Sequence, residues 1–385
     1  MPKNIFNCFA NCLQLNWEGQ VYSMKIYTVT FCNTTNVGAA LQEYALQKYL
    51  QINGHDAKVL NYIPKIMMQR NSVWIGVLQG NTIYERLKGI ILLPLNVNRK
   101  LKYYKFSKKF ISLTRTCRTI TDIEKLEQPD MYLAGSDQIW NDELTNWNEG
   151  YFLNFKTSAR KVAYAASAGK DIFSDLFLHN LKIRAEKFDS LSVRETLLQK
   201  SLLQMDIKNV KQVLDPVFLL SKEHYESILI QPKLNNYILL YEAELNEKCI
   251  LVARELAHKH NKKIVQINRI NNKYKVDKLY PCVSPTEFLG LVKYADYVVT
   301  NSFHAVAFSL ILEKEFWVIK LKNLSSRIDS ILKLTDLENR IIGYPNMQLN
   351  NTIDYKLVNS KLKLQRDESI NFLQSTINEE GIYGT

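Results

Sequence analysis

The 385-residue sequence contains no long apolar run. A membrane-spanning helix needs roughly 18 or more consecutive apolar residues, so the sequence predicts no such helix. Residues 1–23 also lack the apolar core of a signal peptide, because Asn, Gln, Glu and Trp lie where that core should be. Residues 24–29 have the pattern of a first strand. We therefore expect residues 1–23 to be an extension outside the fold, with Met24 as the natural start.

The sequence also lacks the short motifs of several enzyme classes. It has no Gly-x-Ser-x-Gly nucleophile elbow, no His-Glu-x-x-His zinc motif and no acidic EF-hand loop. The three spaced glycines of a dinucleotide fingerprint and the Gly-Lys-Ser/Thr end of a P-loop are missing as well. His258 and His260 are two positions apart on a predicted helix, so they do not share a face. We therefore expect no metal ion and no cofactor.

Cysteine is sparse and unorganised. The six cysteines are scattered, and the closest pair, Cys8 and Cys12, has no second Cys or His pair to complete a zinc site. Scattered cysteines without a disulfide framework are typical of a reducing compartment. We therefore expect a cytoplasmic protein.

Acidic residues are outnumbered by basic ones. The formal net charge is +12, and residues 99–110 are the densest basic stretch, with aromatic residues interleaved. No nucleic-acid-binding motif accompanies this stretch, so we expect no nucleic-acid partner. Two readings stay open: a solvated helix face, or a basic amphipathic surface for an anionic membrane or substrate.

The chain is long enough for two domains. Residues 25–31 and 57–62 are predicted strands that flank a helix at 39–51, and this βαβ opening favours a parallel sheet. Further strands are predicted at 130–134, 161–166 and 191–195. Residues 65–125 are basic and predicted to be largely helical.

Residues from 236 onward repeat the α/β alternation. Strands are predicted at 237–241, 263–268, 297–300 and 316–319, with helices between them. The fold class is therefore α/β, with two Rossmann-like domains facing each other across a cleft. We expect an N-terminal domain at 24–220, a C-terminal domain at 221–345 and a helical segment at 346–385.

His304 is the most informative single residue. It follows the predicted strand 297–300 and opens an apolar, helix-compatible run. Open α/β sheets bind ligands at the carboxyl ends of their strands, and a helix N-terminus there attracts anions. The alternative is a histidine that only caps or packs at this turn.

Two other turns carry polar groups at strand ends. Residues 36–42 form a strand-to-helix turn with one glycine, which suits a phosphate or a sugar but is equally compatible with a plain tight turn. Residues 135–141 are dense in hydrogen-bonding side chains, which suits a hydroxyl-rich ligand. The alternative there is a capped turn with Trp140 in the core.

Arg194 and Arg327 are candidate anion ligands. Each follows or opens a predicted element, and the guanidinium fork grips carboxylate and phosphate with two hydrogen bonds. Each could equally be a surface residue or part of a structural ion pair. With His304 they would form an anion site with an acid/base group beside it.

Seven segments, taken together, resemble the polysaccharide pyruvyl transferase family. They occur in order at 36–42, 135–141, 161–167, 192–195, 215–216, 300–304 and 326–328. The resemblance implies a two-domain fold similar to the GT-B glycosyltransferases. It also implies transfer of a pyruvyl group from phosphoenolpyruvate to a sugar, forming a ketal.

The resemblance also implies roles for individual residues. His304 would be the general acid/base, and Arg194 and Arg327 would bind the anionic donor. The remaining substrate-binding candidates are Asn36, Gly38, Ser136, Asp137, Gln138, Asn301 and Ser302. Relatives usually have an aspartate where this chain has Asn301 and a glycine where it has Ala305. Other members have an arginine at the position of Ser302.

Two other functions remain open at this point. The same architecture serves nucleotide-sugar glycosyltransferases, whose diphosphate would suit the same cations. A non-catalytic carbohydrate-binding protein is the second alternative, since Asn301 and Ser302 depart from the pattern. The expected partners are phosphoenolpyruvate and a sugar acceptor. The basic stretch at 99–110 is compatible with a lipid-linked acceptor and with peripheral contact at the inner face of the membrane.

Overall fold

A computed structural model describes residues 23–74, 77, 82–321, 326–343, 349 and 352–378. All but one residue of the predicted N-terminal extension, 1–23, lie outside this range. Within the described ranges, no helix is both long and apolar enough to cross a membrane.

The first half of the chain forms a six-stranded parallel sheet. Its strands are β1 Lys25–Val29, β2 Asp56–Val59, β3 Met131–Ala134, β4 Arg160–Ala166, β5 Ser190–Val193 and β6 Lys211–Gln212. They lie in the order β2-β1-β3-β4-β5-β6, and every pair is parallel.

Helices connect these strands. They are α1 Val37–Ile52, α2 Lys65–Arg70, α3 Ile83–Ile91, α4 Leu93–Phe110, α5 Ile120–Glu124, α6 Asp142–Thr145, α7 Asp175–Ala185 and α8 Thr196–Gln204. The N-cap of α1 is Asn36, whose side-chain oxygen accepts hydrogen bonds from the N–H groups of Gly38 and Ala39. Pro94 lies in the first turn of α4, where a missing N–H has no cost, so it begins this helix rather than interrupting it.

The second half forms a five-stranded parallel sheet. Its strands are β7 Tyr237–Tyr241, β8 Lys263–Ile267, β9 Lys278–Tyr280, β10 Tyr297–Thr300 and β11 Glu315–Val318, in the order β11-β10-β7-β8-β9. Its helices are α9 Lys222–Ile228, α10 Glu247–His260, α11 Pro285–Lys293, α12 Phe303–Ile311 and α13 Ser326–Leu334, and the chain continues into α14 Tyr355–Asn378.

Each sheet has one point at which the direction of strand addition reverses. In the first sheet it lies between β1 and β3, and in the second it lies between β7 and β10. The loops at the carboxyl ends of such neighbours leave in opposite directions and open a crevice between them. The first crevice is bordered by residues 30–36 and 135–138, and the second by residues 242–244 and 301–304.

One hydrophobic core joins the two halves. It runs from the inner face of the first sheet through α1 and residues 213–220 to α11 and α12 of the second half. Helix α14 also spans both halves: the Tyr355 hydroxyl donates to the Ser309 carbonyl, and the Ser369 hydroxyl accepts from the N–H of Leu214. The prediction of two Rossmann-like α/β domains in the GT-B manner is confirmed.

Two short strands are absent from the sequence-based prediction. These are β6 and β9, which have two and three residues and form the outer edges of the two sheets. Edge strands need no continuous apolar pattern, since one side of each is unpaired. Lys211–Gln212 and Lys278–Tyr280 accordingly carry too little periodicity to be recognised.

Candidate active site

The two crevices face a common cleft with a volume of about 610 Å³. Loops from both sheets line it. Seven of the predicted site residues are among the lining residues: Asn36, Asp137, Gln138, Asn301, Ser302, His304 and Arg327. The other three, Gly38, Ser136 and Arg194, do not line the cleft, and their contacts show where they lie instead.

His304 lies in the first turn of α12, directly after β10. The β10 strand is buried up to Thr300, and α12 is buried along its whole length, so the histidine backbone is held between two apolar elements. Its side chain is 8% exposed, although it borders the cleft. The imidazole is thus a fixed group at the wall of the cleft.

Gly38 supports the His304 ring from the other domain. A Cβ atom at position 38 would overlap the imidazole at Nδ1, Cγ and Cε1. Only glycine therefore allows the first turn of α1 to approach the histidine. Gly38 was predicted to bind substrate; the structure places it beneath His304, where it sets the contact between the two domains.

Asp215 lies behind His304. Its Oδ2 is 3.9 Å from His304 Nε2, and it accepts a hydrogen bond of 3.1 Å from the Ser136 hydroxyl. The other oxygen, Oδ1, accepts from the N–H of Val217 at 3.1 Å. Burial favours the neutral acid, but the adjacent Arg194 outweighs it and holds the pKa of Asp215 below its ordinary value. Asp215 is therefore a buried anion facing the imidazole.

Arg194 is the counter-charge of this anion. Its Nη1 forms an ion pair with Asp215 Oδ2, and its Nη2 donates to the Ser167 hydroxyl at 3.1 Å. The guanidinium also stacks on the Phe303 ring, with 4.7 Å to the ring centroid. Arg194 is 4% exposed. Its predicted role as a donor ligand is untested; the structure places it in a buried ion pair behind the cleft wall.

His304 is neutral over the physiological pH range. Burial lowers the pKa of His304 to about 4; the carboxylates of Asp215 and Asp137 act in the opposite direction but do not offset it. His304 Nε2 is buried and has no hydrogen-bond partner among the described residues. Its unpartnered nitrogen can accept a hydrogen bond from a ligand hydroxyl, and an anion bound beside the ring would favour the protonated form.

Arg327 is the predicted cation that does reach the cleft. It lies in the first turn of α13, and, with the Gln138 amide oriented so that its oxygen faces the guanidinium, that oxygen accepts from Nη1 and Nη2 of Arg327 at 3.1 and 2.7 Å. Burial lowers the pKa of Arg327, and the nearby Arg194 contributes in the same direction. The Gln138 carbonyl is a neutral partner. Among the described residues Arg327 forms no direct ion pair, and the nearby carboxylates of Glu195, Asp137 and Asp215 favour its charged form.

Asp137 and Trp140 separate the two interpretations of the 135–141 turn. Asp137 borders the cleft with φ of 74°, a backbone conformation in which aspartate is tolerated. Trp140 is fully buried, and Asn141 caps α6 through its side-chain oxygen. The turn therefore has a cleft-facing half at Asp137 and Gln138 and a structural half from Trp140 onward.

Asn301 bridges the crevice of the second sheet. Its side-chain oxygen accepts from the N–H of Ala243, and its nitrogen donates to the carbonyl of Glu244, each at 2.7 Å. The amide therefore joins the loops after β7 and β10. A carboxylate could accept at this place but could not donate, so asparagine fits both bonds. Asn301 therefore has a structural role at the edge of the cleft.

Ser302 leaves the N-terminus of α12 uncapped. Its side chain makes no capping hydrogen bond, and the bond that begins the helix is that from the Val306 N–H to its carbonyl. The N–H groups of Phe303, His304 and Ala305 have no hydrogen-bond acceptor in the described part of the chain. Because Ser302 and His304 line the cleft, the positive end of α12 faces it. An anion would find uncommitted donors there.

Two further arginines border the cleft and were missed from the sequence. Arg269 follows β8 and donates to the Glu242 carbonyl at 2.7 Å; Arg99 of α4 donates to the Pro281 carbonyl at 2.9 Å. In both, Nε is buried without a partner. Arg269 lies just after the carboxyl end of β8, and this position could have identified it from the sequence as a candidate ligand-binding residue. Arg99 belongs to the basic stretch 99–110, which the sequence alone suggested to be an outer surface.

The family is decided by the match of a family model. The model of polysaccharide pyruvyl transferases matches residues 36–323, which include His304 and most of the residues that line the cleft; Phe31, Thr34, Thr35, Arg327 and Ile328 lie outside the match. The chain belongs to the polysaccharide pyruvyl transferase family. The resemblance inferred from seven short segments is thereby confirmed. No curated protein sequence matches this chain significantly.

Several solved structures share the overall fold at low identity. A Listeria monocytogenes protein described as a UDP-N-acetylglucosamine 2-epimerase is 12% identical over 91% of this chain and 90% of its own, with a TM-score of 0.45. A Neisseria meningitidis UDP-GlcNAc 2-epimerase is 16% identical over 94% and 96%, with a TM-score of 0.42. The Escherichia coli heptosyltransferase WaaC is 11% identical over 79% and 90%, with a TM-score of 0.38. We draw no functional conclusion from similarity at this level.

Proposed function

We propose that this pyruvyl transferase family member moves the pyruvyl group of phosphoenolpyruvate to a sugar and forms a ketal, without a metal or a separate cofactor. One observation carries the proposal: a neutral, buried histidine borders a cleft whose arginines, Arg99, Arg269 and Arg327, form no direct ion pair with any described carboxylate. Phosphoenolpyruvate brings the anionic charge that such a cleft lacks, and a sugar brings the hydroxyl groups that a neutral imidazole can deprotonate.

The donor would bind between Arg327, Arg269 and the N-terminus of α12. Arg327 offers two N–H groups that are shared only with an amide, and Arg269 retains a buried Nε donor. A carboxylate and a phosphate each suit a planar guanidinium. We propose that these donors together bind the carboxylate and the phosphate of phosphoenolpyruvate, without assigning either group to one arginine.

His304 would act on the acceptor. The first sugar hydroxyl adds to C2 of phosphoenolpyruvate, the carbon that bears the phosphate, and the adjacent methylene carbon gains a proton from solvent. His304 accepts the hydroxyl proton during this addition. Phosphate then leaves, the second hydroxyl attacks the same carbon, and its proton is lost. The products are the pyruvyl ketal and inorganic phosphate. Asp215 would stabilise the imidazolium that forms in between, from 3.9 Å away.

The acceptor would be a sugar of a polysaccharide or of its lipid-linked precursor. Asn36, Asp137 and Gln138 border the cleft on the first-domain side and offer both donors and acceptors to hydroxyl groups. In this proposal the reaction takes place in the cytoplasm, at the inner face of the membrane if the acceptor is lipid-linked.

A thermal-shift panel tests the donor. The purified protein is heated with phosphoenolpyruvate, with phosphate, and with UDP- and GDP-sugars; a ligand at 100 times its Kd stabilises the fold by about 2.7 kcal/mol. We expect a rise in Tm with phosphoenolpyruvate that is lost in Arg327→Met and retained in Arg118→Met, since Arg118 is an exposed arginine away from the cleft. A response to a nucleotide sugar alone would identify a glycosyltransferase instead.

A further inference from the structure

Helix α3 presents its apolar residues to solvent. The side chains of Ile83, Tyr84 and Ile91 are 79%, 75% and 77% exposed, and those of Leu87 and Ile90 are more than half exposed. Single exposed apolar residues are common on protein surfaces, but five within one nine-residue helix are not. This cluster, Ile83, Tyr84, Leu87, Ile90 and Ile91, is called the α3 face below.

The α3 face points away from the protein. At about 100° per residue, its five positions fall within an arc of roughly 120°. Gly89, the buried residue of this helix, lies on the opposite side. A surface helix of a soluble protein normally has the reverse arrangement, with the apolar stripe inward. Helix α3 thus contacts the rest of the protein on the side of Gly89, and its outer side is apolar.

Positive charge surrounds the α3 face. Residues 83–110 contain eight Lys or Arg residues and one acidic residue. Of these cations, Arg99 borders the cleft and Lys102 pairs with Glu287, so neither belongs to this surface. Lys88 on α3 and Lys105 and Lys108 on the adjoining α4 are exposed. Leu101 and Tyr104 of α4 are also at least half exposed, at 50% and 57%. An apolar face within a basic surface complements an anionic lipid bilayer.

We propose that α3 docks this protein on an anionic phospholipid surface, with the α3 face inserted at the level of the headgroups. Nine residues of helix are about 14 Å long, so α3 lies in the plane of the interface and does not cross it. Tyr84 suits this depth, because its ring is apolar and its hydroxyl polar. The exposed lysines hold the headgroup phosphates, which makes attachment peripheral and salt-dependent.

A second copy of the chain fits this surface less well. Two basic surfaces repel each other, and a helix of this length offers far less than the ~800 Å² per partner that a stable protein interface usually buries. A bilayer needs no shape complementarity and supplies the opposite charge. The occupant that the charges favour is therefore lipid.

The docking surface adjoins the route to the cleft. A second pocket of about 610 Å³ is lined by Lys100, Tyr104 and Lys108 of α4, and Asn71 lines both this pocket and the cleft. The two pockets therefore adjoin at Asn71, and an acceptor held in the membrane by a lipid would enter the cleft from this side of α4. This part of the inference rests on the proposed function; the docking itself does not.

Vesicle co-sedimentation tests the docking without any substrate. The full-length protein is mixed with vesicles of phosphatidylcholine alone or of phosphatidylcholine with phosphatidylglycerol, at low and at high salt. We expect sedimentation with the anionic vesicles only, and its loss at high salt. Leu87→Ser/Ile91→Ser should weaken partitioning by about tenfold or more, because two inserted apolar side chains are removed.

The matched control removes equivalent side chains from another helix. Leu357 and Leu364 of α14 are 52% and 67% exposed, so Leu357→Ser/Leu364→Ser has the same chemistry away from α3. This variant should sediment like the wild type. Absence of wild-type binding to anionic vesicles would overturn the proposal, as would equal losses in the two double variants. Dimerisation that Leu87→Ser/Ile91→Ser abolishes, without vesicle binding, would assign the face to a second copy.

Failure of docking and failure of the reaction give different results. A water-soluble acceptor oligosaccharide should be pyruvylated equally by the wild type and by Leu87→Ser/Ile91→Ser, since neither residue lines the cleft. If docking fails while this reaction proceeds, only the membrane inference is lost. If docking is seen but no pyruvyl transfer occurs with any acceptor, only the proposed reaction is lost.

Discussion

The candidate site has two layers of charged residues with opposite properties. Behind the wall of the cleft, Arg194 and Asp215 form a buried ion pair that is also bonded to Ser136, Ser167 and the backbone, while Arg194 Nε has no partner among the described residues. At the wall, the acceptors of Arg327 and Arg269 among the described residues are an amide and a carbonyl. His304 lies between the layers: it is 3.9 Å from Asp215, and it borders the cleft that Arg327 and Arg269 line.

This difference separates structural cations from ligand-binding ones. A buried arginine that is neutralised by a carboxylate has little attraction left for a substrate anion, and removing it leaves an unpaired charge. An arginine held only by neutral acceptors keeps its charge available. The rear layer should therefore determine stability and the orientation of Asp215, and the front layer should determine affinity for the donor.

The largest effect is expected for the residue between the layers. His304→Ala should retain the fold and lose about 10²–10⁴-fold in kcat, the usual loss for a general acid/base. The assay measures ketal product or phosphate release with a pyruvyl acceptor, alongside thermal unfolding. His258→Ala is the control, since His258 is an exposed histidine on α10. Turnover near the wild-type rate in His304→Ala would remove His304 from the mechanism.

Substitution in the rear layer should reduce stability more than donor binding. Arg194→Met leaves Asp215 buried and unpaired, which should lower the free energy of unfolding by about 3–5 kcal/mol. Denaturant unfolding measures this. Arg194→Met/Asp215→Asn should recover part of the loss, because the unpaired charge is gone. A fully stable Arg194→Met protein with a greatly raised KM would instead make Arg194 a donor ligand, as the sequence suggested.

Substitution in the front layer should weaken donor binding more than it reduces stability. Arg327→Met removes a charged hydrogen-bond donor worth about 1.5–3 kcal/mol to its anion, so KM for phosphoenolpyruvate should rise by roughly 10–150-fold. Its effect on unfolding should stay near 1 kcal/mol, since the partner left behind is the neutral amide of Gln138. Steady-state kinetics and denaturant unfolding of the same preparation show whether Arg327 contributes mainly to donor binding or mainly to stability. A stability loss like that of Arg194→Met, with KM unchanged, would contradict the comparison.

The sequence predicted the elements better than the partners of their side chains. Strands such as Tyr237–Tyr241 are continuous apolar runs, and their carboxyl ends mark the polar loops that border the cleft. The position of His304 followed from this local pattern. The contact of His304 with Gly38 did not, because it joins residues that are far apart in sequence and in different domains.

The division of the arginines into two layers was likewise invisible in the sequence. Arg194 and Arg327 have similar local settings, at the edge of a strand or helix, and only the tertiary fold places Asp215 beside the first and Gln138 beside the second. Arg99 lies in a basic helix that looks like a surface, yet it borders the cleft. Sequence periodicity shows which side of a helix or strand is apolar. It does not show which charged residue, distant in sequence, lies beside a given side chain in the fold.

The smallest effect concerns the protonation of His304. Its pKa is lowered from 6.5 to about 4 by burial, so between these values the unfolded chain binds a proton that the folded protein does not. Unfolding is therefore favoured as the pH falls through this window, and His304 contributes a loss of up to about 3 kcal/mol that is complete near pH 4. In His304→Gln this contribution is absent, so the stability of the variant relative to the wild type should increase between pH 6.5 and 4. Denaturant unfolding at several pH values measures the difference. A difference independent of pH would mean that His304 titrates normally, and the cleft would then hold an imidazolium rather than a base in acidic solution.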